Sequence, residues 1–334
     1  MNFVKAGIMD NTTRKSVKLK FGRELITVIA LLFIVSIFTV INSQYIQGNN
    51  LLDIIDQTVI NGLIAIGMTF AILTAGIDLS VGSILAIVLV VIGKFLVNGT
   101  NPAVAVILGI IIGFILGAVN GLLITKMKLQ PFIATLGTMS IYRGLAYTIT
   151  GGQPVLNIPK SFRSMLNGDI VGNVSISIII LFVFAVICHI ILKKTKQGIY
   201  MYSIGGNEEA TKLSGIKVDR TKLLAYGICG VGAALAGMIM LARLGTGEPA
   251  AGQGYELNAI AATAIGGASL AGGKGSIPGT ILGAILLSAL KVGLVVVGVD
   301  TFWQYIATGA IIVIAVYFET IQEIISSKMK SRKK

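Results

Sequence analysis

Apolar residues fall in long charge-free blocks along the chain, separated by short polar segments rich in Lys, Arg, Gly, Asn and Pro. A helix needs roughly 20 residues to cross about 30 Å of hydrocarbon, and most blocks have that length. They predict ten spans, at about 25–43, 54–75, 79–97, 103–125, 131–150, 174–192, 223–243, 257–271, 277–297 and 302–319. The third, fifth, eighth and ninth are the weakest, because a charge interrupts them or a glycine cluster shortens them. Broken or half-length helices are expected there. The predicted fold class is an all-α integral membrane protein of about ten helices. Its parts are a basic N-terminal segment (1–24), a transmembrane domain (25–320) and a basic tail (321–334).

Composition agrees. Of 334 residues, 54% are hydrophobic and 12% charged, where a soluble domain carries about 25% charged residues. Mean hydropathy is +0.88. Glycine, at 41 residues, suits helices that approach closely in a bilayer. The net charge of +13 would suggest nucleic acid in a soluble protein. Here the cations sit between spans and read as topology signals, so no nucleic-acid partner is expected.

With the N-terminus inside, the inner segments carry 21 Lys and Arg and the outer ones carry two, Lys160 and Arg163. That asymmetry places both termini in the cytoplasm. The run Leu25–Ile41 is longer than a signal-peptide core and is followed by a poor cleavage site, Asn42-Ser43-Gln44, so it is expected to be a retained first span.

Two loops are long. The outer one, 151–173, is expected to lie along the surface. The inner one, 193–222, carries a short helix at its centre: Asn207 suits an N-cap, Glu208 and Glu209 suit the first turn, and Gly215 suits the stop. With Ala210, Leu213 and Ile216 opposite its charges, this helix is a candidate for docking in a groove on a cytoplasmic partner. A solvated connector is the alternative. A faint echo also links 61–86 with 258–283, aligning Ser80 with Ser276. Chance likeness between glycine-rich helices is an equal alternative to a parallel repeat.

Catalytic and metal-binding patterns are missing. His189 is the only histidine, Cys188 and Cys229 lie in apolar runs, and paired carboxylates are absent from the spans. The run Gly272-Gly273-Lys274-Gly275-Ser276 fails the phosphate-loop pattern, since Ala268 stands at the first glycine position and Gly275 follows the lysine. Its glycines are read as a tight turn where helices approach. Asp53, Asp56, Asp78, Asp300 and Glu319 all fall near span ends, so ion-coupled carriage, which needs ionisable groups in mid-membrane, is not expected. Candidate polar residues along a solute path are Thr69, Thr74, Thr135, Thr138, Asn258 and Thr263. Buried Thr and Asn also commonly bond their own or a neighbouring helix.

Five segments carry a family likeness: GMTFAILTAGIDLSVGSILA (67–86), QPFIATLGTMSIYRGLAY (130–147), GGNEEATKLSGI (205–216), GYELNAIAA (254–262) and GGASLAGGKGSIPGT (266–280). Together they resemble the membrane permease subunits of bacterial ABC importers for monosaccharides, the ribose permeases foremost. The galactose, xylose, arabinose and autoinducer-2 permeases are similar. The resemblance implies a homodimeric channel in the inner membrane, served by a cytoplasmic ATPase and an external sugar-binding protein. ATP and Mg would be used by the ATPase, with no cofactor in this chain and no enzymatic activity of its own. It implies an ATPase-coupling role for Gly205, Gly206, Asn207, Glu208, Glu209, Ala210, Leu213 and Gly215. Glu248 and Glu256 are expected as exposed acids that meet the binding protein. Pro278 departs from the motif and is expected to kink the start of the ninth span. The alternative function is a stand-alone facilitator or secondary carrier for a small polar solute.

Overall fold

The computed structural model describes residues 11–171, 174–300 and, with gaps, 302–317. The order is α1 (Asn11–Ile41), a 3-10 turn (Ser43–Ile46), α2 (Gly48–Leu73), α3 (Val81–Val97), α4 (Pro102–Lys126), α5 (Pro131–Thr150) and α6 (Lys160–Asn167). A small antiparallel ribbon, β1 (Asp169–Val171) and β2 (Val174–Ser175), follows. Then come α7 (Ile176–Lys194), α8 (Lys196–Gly206), α9 (Glu208–Leu213), α10 (Val218–Leu244), α11 (Tyr255–Ile265) and α12 (Ile277–Val296). The first nine predicted spans each coincide with a helix. Of the tenth, the described residues between Phe302 and Tyr317 are helical, and Glu319 and the basic tail lie outside the described residues.

Six helices among the described residues are long and apolar enough to cross a membrane: the 24–41 part of α1, α2, α4, α7, α10 and α12. The weak predicted spans divide. α12 is full length at 20 residues, α3 has 17 and α11 only 11. Pro278 does not spoil α12. It sits in the first turn, where no helical N–H bond is lost, behind the Ser276 cap.

α2 is the centre of the bundle, and from Thr58 to Leu73 every residue is buried. It packs antiparallel to α10, with Gly67 on Cys229 and Gly232 on Leu63, and antiparallel to α12, with Gly62 near Ala284. α4 lies against the far side of α10 through glycines every fourth residue. Gly109 meets Met238, Gly113 meets Ala234 and Gly230, Gly117 meets the Tyr226 carbonyl, and Gly121 meets Leu223. A Cβ at Gly117 would stand 2.1 Å from that carbonyl oxygen, so only glycine permits the approach. The opposite face of α4 turns Ile107, Ile111 and Ile115 outward, as lipid contact requires. These antiparallel pairs, and the parallel packing of α1 on α12 (Phe38 at Gly293, Asn42 bonded to Val296), follow the alternating order of the predicted spans.

The echo between 61–86 and 258–283 holds in one local feature only. Ser80 and Ser276 both stand immediately before a helix, α3 and α12. The packing differs, since α11 lies against α12 through Gly266 and Gly279 while α2 lies against α10 and α12.

The 151–173 loop holds α6, which buries Phe162 and Leu166, and a backbone bridge from Val155 to Gly247. The 193–222 loop holds two helices rather than one, since α8 precedes the expected α9.

Candidate functional site

α8 and α9 meet at Asn207. Its backbone N–H donates to the Ser203 carbonyl, closing α8, and its side chain accepts from the Ala210 N–H at 2.9 Å, opening α9. Glu208 and Glu209 occupy the positive end of the short helix, and Gly215 ends the turn with φ +81°. Glu208, Glu209, Ala210 and Leu213 are exposed, Leu213 to 89%. One tie holds α9 to the bundle beneath: Glu208 forms a 2.6 Å ion pair with Lys222 of α10.

α8 is bolted to two turns at once. Gly205 lies against the Leu73 carbonyl at the end of α2 and the Gly273 nitrogen in the α11–α12 turn, and those two groups bond each other at 3.1 Å. Tyr202 donates its hydroxyl to the Gly275 carbonyl at 2.8 Å. Burial raises the Tyr202 phenol above its ordinary value, so it remains a neutral donor. The Gly272–Gly275 glycines therefore serve close approach of helix ends, as the sequence reading holds. Gly206 has nothing packed on it.

The expected path residues are placed differently. Thr69, Thr74, Thr135, Thr138 and Thr263 are buried and donate to helix carbonyls: Ala65, Ala71, Pro131, Thr135 and Ala259. Thr69 also pairs with Thr280 at 2.8 Å, joining α2 to α12. Asn258 alone of the six is partly exposed.

Two breaks in helical structure occupy the interior. The first, 74–80, carries Asp78. The sequence reading treats Asp78 as a span-end residue, but its side chain is fully enclosed. Oδ1 accepts from the Ser80 N–H at 2.9 Å and the Ser80 hydroxyl at 2.6 Å, and Asn120 Nδ2 of α4 lies 3.2 Å from each carboxylate oxygen. A buried carboxyl group is tolerable only when such partners satisfy it.

The second break, 245–254, precedes α11 and reaches the start of α3, where Gly252 and Gly82 are in contact. Arg143 of α5 holds it, donating from Nη1 to the Pro249 and Ala251 carbonyls and from Nη2 to the Gly82 carbonyl. Glu256 is therefore not an exposed acid. It is half-buried, accepts from the Gly254 N–H and lies beside Gly82, within reach of the Arg143 charge. Glu248 is also only partly exposed. The interior is thus not charge-free, which corrects the expectation from span ends. A signal for this exists in the sequence: Gly76-Ile77-Asp78-Leu79-Ser80 and Gly254-Tyr255-Glu256-Leu257-Asn258 share the order glycine, apolar, acid, leucine, polar.

Residues 50–316 match the family described as the branched-chain amino acid transport system permease component. The ribose import permease protein of Bacillus subtilis (strain 168) is 44% identical over 293 residues, covering 87% of this chain and 91% of that protein. The ribose import permease protein of Escherichia coli (strain K12) is 41% identical over 298 residues, covering 87% and 91%. The D-allose transport system permease protein of the same strain is 37% identical over 297 residues, covering 88% and 91%. No solved structure gives a significant match. The chain belongs to this family of multi-pass transport-system permease components.

Proposed function

We propose that the chain is the membrane-spanning subunit of an ATP-driven ABC importer that carries a monosaccharide, with ribose as the substrate. The observation that carries this is similarity over nine-tenths of the length of two proteins named as ribose import permeases. The proposed partners are a cytoplasmic ATPase, an external sugar-binding protein and a second copy of the chain. ATP and Mg act in the ATPase. The excess of Lys and Arg in alternate loops supports cytoplasmic termini and a cytoplasmic α8–α9 junction.

The junction has the form a coupling device needs. α9 presents two acids and an exposed leucine outward, while α8 grips the ends of α2 and of the α11–α12 turn through Gly205 and Tyr202. A push on α9 is therefore delivered to the most buried helix of the bundle and to the turn beside it. The second copy is proposed to face α5, whose exposed side combines Gly137, Ser140 and Gly144 with nothing packed on either glycine. The solute path is proposed to pass the second break, near Gln253 and Asn258, where side chains are exposed or half-exposed.

The test is the double substitution Glu208→Arg with Glu209→Arg. It reverses the charge of the outward face and, through Glu208, also removes the ion pair with Lys222. ATP-dependent uptake is expected to fall at least tenfold, with the ATPase no longer co-purifying. Unchanged uptake would remove the coupling role from α9.

A further inference from the structure

α7 packs on α2 and α12 and stands away from the α4–α10 pair. A groove of about 440 Å³ runs between them, lined only by apolar side chains, among them Ile110 of α4, Ile180, Phe184 and Ile187 of α7, and Val231 and Leu235 of α10. From Ile180 to Ile191, also on its wall, α7 rises roughly 16 Å at 1.5 Å per residue. That is about the length of an extended acyl chain, and the run ends three residues short of Lys194 at the end of α7.

Cations stand at one end of this groove. Lys194 is seven residues beyond Ile187, two turns along the same stripe of α7. Arg220 is eleven residues before Val231, about three turns along the same stripe of α10. The start of α10 is tied to α8, three residues beyond Lys194, where Thr221, next to Arg220, donates to Gln197 at 3.3 Å. Lys194 and Arg220 are exposed, and neither has an acidic partner among the described residues. Asp219, beside Arg220, is engaged with Lys126, and Glu208 with Lys222.

From this juxtaposition we infer that the α7/α4–α10 groove is a binding site for an anionic glycerophospholipid of the leaflet around α8. One acyl chain fills the groove, and the phosphate lies between Lys194 and Arg220. A purely apolar cleft within membrane-spanning helices admits hydrocarbon and excludes water. The paired cations select an anionic headgroup over a zwitterionic one.

The test uses the purified full-length protein equilibrated with equal phosphatidylglycerol and phosphatidylcholine, with retained lipid counted by native mass spectrometry. The unaltered chain is expected to retain phosphatidylglycerol in about tenfold excess. Lys194→Gln with Arg220→Gln, both on the surface, should bring the two lipids to within about twofold while helicity is unchanged. Val231→Trp, which fills the groove, should reduce retention of both. Equal retention by the unaltered chain, or preference unchanged in the Gln variant, would overturn the proposal. So would efficient disulfide capture of a second copy through Ile187→Cys, which would make the groove a protein interface.

Discussion

The Gly273 amide donates to the Leu73 carbonyl at 3.1 Å, and this single bond ties the end of α2 to the turn before α12. Gly205 of α8 is pressed against both atoms. A Cβ there would lie 2.0 Å from the carbonyl oxygen and 2.2 Å from the nitrogen. These are backbone contacts that no rotamer can relieve.

Gly205→Ala should therefore part α8 from the two turns. We expect a loss of about 1–3 kcal/mol of stability and a steep fall in ATP-driven uptake. Gly206→Ala, one residue on with nothing within 4 Å of an added Cβ, should leave stability unchanged. Thermal unfolding in detergent and uptake into vesicles read the pair. Equal behaviour of the two variants would contradict the clamp.

Asp78 gives a second contrast. Asp78→Ala strands the Ser80 N–H and the Ser80 hydroxyl proton in a closed interior, while Asn120 keeps the Ser80 hydroxyl oxygen as an acceptor at 2.8 Å. At about 1–3 kcal/mol per unsatisfied buried group, the expected loss is several kcal/mol. Asp78→Asn keeps an acceptor oxygen and similar volume and should lose less than half as much. Apparent Tm in detergent checks the order. An Asp78→Ala protein as stable as the unaltered one would show that the carboxyl does not organise the first break.

On α4, Gly117→Leu should block the seam with α10 and prevent insertion of a folded bundle, because the added atoms meet the Tyr226 carbonyl. Ile115→Leu, at an exposed position two residues away, should be neutral. Yield of monodisperse protein in detergent distinguishes them. Tolerance of Gly117→Leu would contradict the close approach.

Much of this was legible in the residues. Uninterrupted apolar blocks mark α1, α2, α4, α7, α10 and α12, because hydrocarbon sets both length and composition. Asn207, Glu208, Glu209 and Gly215 mark α9, because capping is a local matter of side-chain and backbone donors. Depth is another matter. Asp78 reads as a span-end residue because it follows an apolar run, and only the packing of α4 and α10 around 74–80 encloses it. Thr69 and Thr263 read as polar lining because a sequence does not show which carbonyl a hydroxyl will choose. α8 is hidden by Lys193, Lys194, Lys196 and Gly198, which look like a loop and instead flank or begin a helix capped by Thr195.

On the proposed function, the chain conducts a sugar only when an ATPase drives it and a binding protein delivers the cargo. The most direct test is ribose uptake into proteoliposomes holding this protein and its ATPase, with ATP inside and the sugar-binding protein outside. Accumulation is expected to require all three components and to be lost in the Glu208→Arg, Glu209→Arg variant. Ribose entry at full rate without ATP or without the ATPase would contradict this expectation and make the chain a facilitator.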